Sequence, residues 1–411
     1  MKQLFDITGN PAFYLTLAFL FLVNFSIAGC YIIYTVILIQ FIGFGVLYIK
    51  NRKKQDPAIP LFRFPKLPPY FKYFLLYILF TLLSSIFGLN PAVSLKHDKE
   101  FFIYLLIPVF LLIVNSRKRL EYCLYAVLAS ATLSAIYGIG DVIRRGASLD
   151  YRLRGFLSHW MTYSGLLMLA FIFFFVYVFY VKGLKRIVIL SVCLSAMITA
   201  IAFSLTRNVW VGIAVALGIF IVYSRPKILF IAIPVLVASV FFLPASVKNR
   251  IFSIADLNNA TNQDRLYMMK IGWNIFKDYP FFGVGPNNIE TVYNLYKPSE
   301  ATLTNMHLHN NFLHALAERG IFALLSLLAA FISIFYHVIR KIKNTTGIDK
   351  AVALSVLFAF TGFVIAGLFE YNYGDSETRF LLYFLISLPF LRLEPETIPQ
   401  AQPVNEKAND E

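Results

Sequence analysis

The sequence predicts an all-α polytopic membrane protein with about 12 transmembrane helices and one large helical loop on its outer face. Three observations carry this. Of 411 residues, 58% are hydrophobic and only 14% charged, whereas soluble chains carry roughly 25% charged residues. The apolar residues gather in runs approaching the roughly 20 helical residues that cross a hydrocarbon core about 30 Å thick. The connections between runs are alternately basic, the charge asymmetry that orients helices in a membrane.

The apolar runs place spans at 11–25, 29–49, 70–87, 100–114, 120–143, 162–181, 186–204, 209–224, 227–243, 320–339, 350–369 and 380–393. Residues 1–243 then hold transmembrane helices 1–9, residues 244–319 the large outer loop, residues 320–393 helices 10–12, and residues 394–411 a polar tail. Met1 to Pro11 contain one lysine and no small-residue cleavage site, so the first run reads as a retained helix rather than a removed signal. Every second connection is basic: KNRKK and RFPK within 50–66, NSRKR at 115–119, KGLKR at 182–186, SRPK at 224–227 and RKIK at 340–343. The positive-inside rule assigns these loops and both termini to the cytoplasm.

Lys+Arg 37 against Asp+Glu 22 gives a net charge of +15, which suits anionic lipid head groups. Nucleic acid is disfavoured as a partner, because the basic residues sit in short inter-helix loops rather than in a groove with interleaved aromatics. Cys30, Cys123 and Cys193 lie in apolar runs without pairing or metal spacing and read as small core residues.

Several outer loops break the charge rule. Loop 144–161 carries Arg144, Arg145, Arg152 and Arg154, loop 205–208 carries Arg207, and the large loop carries Arg265. As a set they predict an anion site, since guanidinium groups offer bidentate hydrogen bonds to phosphate. Singly, each is better explained by snorkelling to head groups or by pairing with Asp141, Asp150 or Asp264.

Within the large loop, 262–279 has helical spacing, with Leu266, Met269, Trp273 and Phe276 on one apolar stripe expected to lie on the bundle. Thr261 or Asn262 is the expected cap. Pro280 and the glycines Gly283 and Gly285 mark a turn, and their GxG alone is too weak for a phosphate loop. A short helix over 286–296 opens with Pro286. HLHNNFLHALAERG at 307–320 then gathers His307, His309 and Asn310 at a helix start, whose dipole disfavours imidazolium and poises a neutral general base. A metal reading of His307, His309 and His314 is not preferred: there is no HExxH, no cysteine partner, and no carboxylate before Glu318. The last outer loop, EYNYGDSETR, supplies Glu370, Asp375 and Glu377, which either orient the histidine or solvate the loop.

The chain has no nucleotide motif, no Asp-x-Asp and no serine elbow, so the energy must arrive with the substrate. A lipid-diphosphate sugar meets that requirement. Arginines would stabilise the departing diphosphate, a histidine would take the proton of an acceptor hydroxyl, and inversion is the expected outcome. The large loop would cover the site like a lid.

The segments RLRGFLSHWMTYSGLLM (152–168), TRNVWVG (206–212), DRLYMMKIGWNIFKDYPFFGVGPNN (264–288), HLHNNFLHALAERG (307–320) and LFEYNYGDSE (368–377) resemble, in this order, the O-antigen ligase and polymerase superfamily over about the last two thirds of the chain. The resemblance implies a GT-C-type glycosyltransferase of the bacterial inner membrane with its active site facing the periplasm. It would move a glycan from undecaprenyl diphosphate to lipid A-core with neither metal nor cofactor. By the same resemblance, Arg207 and Arg265 correspond to diphosphate-binding arginines and His309 to the residue that activates the acceptor. Arg152 and Arg154 are further candidates for the diphosphate, with His307, Asn310, Glu370 and Asp375 in support. One position departs: Ala323 stands where the ligase pattern has glycine.

Within the superfamily the rival is an O-antigen polymerase, for which Arg144 and Gly155 have a matching spacing. A protein O-glycosyltransferase is a third reading. A polysaccharide or lipid transporter would place ionisable residues or broken helices at the bilayer midplane, whereas here the polar groups collect at one face.

Overall fold

The computed structural model describes residues 9–52 and 65–393, except 147, 150, 232, 233, 235–237, 239, 240, 242, 257, 302–304 and 306. Among these residues all regular structure is helical. The helices are α1 (Asn10–Leu22), α2 (Ile27–Arg52), α3 (Phe71–Phe87), α4 (Pro91–His97), α5 (Leu106–Ile113), α6 (Arg117–Arg145), α7 (Trp160–Val178), α8 (Leu184–Phe203), α9 (Arg207–Ser224), α10 (Ala245–Phe252), α11 (Ala260–Asp278), α12 (Ile289–Tyr296), α13 (Asn311–Asn344), α14 (Gly347–Ala366) and α15 (Ser376–Ser387).

Among the described residues, seven helices are long and apolar enough to cross a membrane: α2, α6, α7, α8, α9, α13 and α14. α1 and α3 are apolar but shorter. The expected span 100–114 is not one α-helix: a 3-10 segment, Asp98–Leu105, precedes the eight-residue α5. Its polar residues explain the break, since Glu100 pairs with Arg379 of α15 and Asp98 is buried. The last span also ends early, α15 giving way at Ser387 to a 3-10 turn around Pro389. About half of span 227–243 lies outside the described residues, as does the whole tail 394–411.

α7 forms the centre of the bundle, with most of its side chains buried against α8, α9, α14 and α15. α13 packs on α3 and α14, while α6 joins α1 to α8. The basic connections meet at one end. Arg117 holds Asp349 through two hydrogen bonds of 2.7 and 3.2 Å. Arg119 donates to Ile113 and Asn10, and Lys66, Arg340, Lys341 and Arg392 line one cavity.

At the opposite end the large loop builds a small core of its own from Met268, Ile271, Ile275, Val284, Ile289, Val292, Tyr293, Leu308 and Ala317. This corrects the expected face of α11. Its buried residues are Met268, Ile271, Gly272 and Ile275, while Leu266, Met269 and Trp273 are each about half exposed. The helix carries two apolar stripes, and the one that packs is set by Gly272, where a Cβ would stand 2.6 Å from Leu308. The cap is Asn259, accepting from Thr261 N at 3.2 Å, two or three residues earlier than expected. α12 likewise begins at Ile289, leaving Pro286 in the preceding turn.

The turn 280–288 docks backbone to backbone on α13. Val284 N donates to Ala317 O at 3.1 Å, Gly285 N to Glu318 O at 2.8 Å, and Ile321 N to Pro280 O at 3.0 Å. Gly320 breaks the helical dihedrals inside α13 with φ 79°, and a Cβ there would lie 2.1 Å from Phe281 O. Glycine is required on both counts. The GxG is therefore a packing device.

Candidate active site

His309 sits just before the first turn of α13, in the left-handed region with φ 46°. A histidine in that region is uncommon and marks an over-determined position. The next residue, Asn310, caps the helix, its Oδ1 accepting from Phe312 N and Leu313 N at 2.9 Å each. Its Nδ2 donates to Leu368 O at 2.8 Å, so Asn310 ties the histidine segment to the loop before α15. From that loop Glu370 reaches His309, with Nδ1 at 2.8 and 2.9 Å from the two carboxylate oxygens.

A carboxylate accepts, so Nδ1 carries a proton toward Glu370, and in the neutral ring the lone pair is on Nε2. Glu370 is buried. Burial raises its pKa, but His309, His307 and Arg265 outweigh this and hold it below the ordinary carboxylate range. His307 Nε2 lies 3.9 Å from Glu370, and its ring stands edge-on to His309 at 4.8 Å. Burial pushes His307 down to about 4, against the pull of Glu370.

The arginines converge beside this pair. Arg207 begins α9, is buried, and donates to Ser253 O at 2.6 Å, Ser253 Oγ at 3.2 Å and Thr261 Oγ1 at 2.8 Å. It thus links a bundle helix to the large loop. Arg250 of α10 is also buried, and its Nε donates to Leu205 O at 3.1 Å. Burial and then the charges of Arg207, Arg152 and Arg265 push Arg250 down to about 10. Arg265 of α11 is lowered by burial against the attraction of Glu370. Arg152 donates to Leu149 O and lies 4.9 Å above the Trp160 ring. Buried cations need counter-charges. Among the described residues, Arg207 and Arg250 donate to hydroxyl and carbonyl oxygens. The cluster suits a polyanion.

Not every expected residue joins. Arg154 is exposed and donates to Ser158 O at 3.4 Å within its own loop, and Arg145 pairs with Asp141 at 2.9 Å. Asp375 accepts from Thr162 at 3.0 Å, and burial followed by Glu370 and Glu377 raises it to about 7. Two residues were missed. Arg250 breaks the charge rule as Arg265 does, a signal present in the sequence. His159 caps α7 through Met161 N and interacts with Glu370, His309 and Arg152, which only folding reveals.

His307, His309 and Glu370 each offer one ligand atom within 4.8 Å of the others and are spaced to hold a metal. His314 is not part of this group. It is buried, stacks on Tyr371 at 3.6 Å, accepts from Leu308 N and bonds Glu318 at 3.3 Å. Glu318 in turn accepts from Asn287 N at 2.7 Å and pairs with Arg319, so this second histidine pair fastens the loop.

In comparison with known proteins, residues 192–328 match the family model described as O-antigen ligase. No curated protein matches the chain. The matched segment holds Arg207, Arg250, Arg265, His307 and His309 together with the docked glycine turn, so over residues 192–328 the chain is similar to the O-antigen ligase family.

Proposed function

We propose that the protein is a membrane glycosyltransferase that moves a glycan from undecaprenyl diphosphate to lipid A-core with inversion, His309 acting as general base. The observation that supports this best is the adjacency of an arginine cluster with a histidine whose Nδ1 is held by a buried carboxylate. The arginines bind the diphosphate and stabilise the charge it gains on leaving. His309 Nε2 takes the proton of the acceptor hydroxyl as its oxygen attacks the anomeric carbon. Glu370 fixes the tautomer and offsets the charge the ring acquires, as a third group does in hydrolytic triads. Arg207 and Arg265 serve as the principal diphosphate ligands, with Arg152 and Arg250 beside them.

The transfer runs without metal in this reading, Glu370 serving His309 as a hydrogen-bond acceptor rather than as a ligand. The active site faces the periplasm, the end opposite the basic loops. A deletion strain tests the assignment. Lipopolysaccharide lacking polymer while lipid-linked polymer accumulates supports ligase activity. Single repeats attached to the core would instead indicate a polymerase.

A further inference from the structure

A cavity of about 370 Å³ opens at the basic end of the bundle, lined by Lys66, His337, Arg340, Lys341 and Arg392 over a floor that includes Phe390. Among the described residues, no carboxylate lines it or pairs with Lys66, Arg340, Lys341 or Arg392. A neighbouring cavity of about 450 Å³ shares Lys341 and Arg392, but there Arg117 is already matched by Asp349. Of these two cavities, the first is therefore the one whose cations have no carboxylate beside them among the described residues. Its floor is apolar, with Leu67, Pro68, Pro69, Phe390 and Leu391, and Lys341 Nζ lies 5.8 Å over the Phe390 ring.

The same face of α13 continues away from the cavity as Tyr336 and Ile332, which are 57% and 67% exposed. Positions 332, 336 and 340 are successive helical neighbours, so Arg340 tops an exposed apolar stripe. Water would oppose such a stripe, and acyl chains would cover it.

We propose that this cavity is a binding site for an anionic glycerophospholipid, its phosphate held by Lys66, Arg340 and Arg392 and its chains laid along Tyr336 and Ile332. A free anion would use the cations but not the apolar floor or stripe. The site lies at the other end of the bundle from the arginine cluster and does not depend on the glycosyltransferase reading.

Native mass spectrometry of the full chain, released from micelles containing equal phosphatidylglycerol and phosphatidylethanolamine, tests this. Wild type should retain phosphatidylglycerol selectively. The Lys66→Gln/Arg340→Gln/Arg392→Gln variant should bind it about 100-fold more weakly, at roughly 1 kcal/mol per cation. Arg340→Gln alone, which leaves the other topological charges in place, should weaken it about fivefold. Arg117→Gln should leave retention unchanged. Equal retention of the two lipids, full retention by the triple variant, or an equal loss in Arg117→Gln would overturn the proposal. A thermal shift from inorganic phosphate as large as that from phosphatidylglycerol would also overturn it.

Discussion

His309 Nδ1 lies 2.8 Å from Glu370 Oε2, although the two residues are 61 positions apart and neither belongs to a regular helix. Glu370→Gln keeps the shape but gives the imidazole a donor as well as an acceptor to face, freeing the tautomer. We expect the glycan transfer rate to fall about 10²- to 10⁴-fold, with protein level and membrane insertion unchanged. His309→Ala should abolish transfer. Near-normal turnover in either variant, measured with purified donor and acceptor, would remove the pair from the mechanism.

Arg207→Lys and Arg265→Lys preserve charge but lose the planar fork. Each should lower transfer at least about tenfold, the cost of roughly one charge-assisted hydrogen bond. Arg250→Lys should behave alike, because its guanidinium is also anchored, on Leu205 O. Donor binding by the purified variants separates this from loss of fold: the arginine variants should bind undecaprenyl diphosphate more weakly, and His309→Ala should bind it normally.

Asp375 gives a pH dependence of known sign. Its folded pKa is raised to about 7, above the ordinary value near 3.9. The native state therefore holds a proton that the unfolded chain releases between those values. Stability should fall as pH rises from about 4 to about 7 and then level off. Asp375→Asn should flatten that part of the curve in thermal unfolding at a series of pH values. An unchanged slope would show that Asp375 titrates normally.

The opposite test applies to Gly320. With φ 79° and Phe281 O only 2.1 Å from a would-be Cβ, Gly320→Ala should lower stability by more than about 2 kcal/mol and shed the loop from α13. Limited proteolysis near 280–288 should become faster.

Saturating chelator should leave transfer unchanged if His309 and Glu370 act as a hydrogen-bonded pair. Inactivation restored by one added divalent ion would transfer His307, His309 and Glu370 to a metal role, since their spacing permits one.

Helix positions were largely legible because long apolar runs and alternating basic loops are local signals. The failures occurred where tertiary pairing overrode the pattern. The 100–114 run reads as a span, but Glu100 is drawn to Arg379, 279 residues away, and the helix is interrupted. α11 offered two apolar stripes, and only contact with Leu308 and Leu313 selects between them. In the site, arginines at odds with the charge rule are readable one by one, Arg250 as much as Arg265. That Glu370 would meet His309 and that Asp375 would instead meet Thr162 depends on how loop 370–375 crosses the bundle end, which no spacing encodes.

The docking of turn 280–288 on α13 bears on how bulky reactants arrive. Three backbone hydrogen bonds and two glycines pressed against carbonyl groups join the outer loop to the same helix whose start carries His309. The turn of the outer loop and α13 are thus joined backbone to backbone, with no hinge between them at this point. In the proposed transfer, two glycans tethered to the bilayer by their lipids would have to reach His309 without this part of the outer loop lifting away from α13.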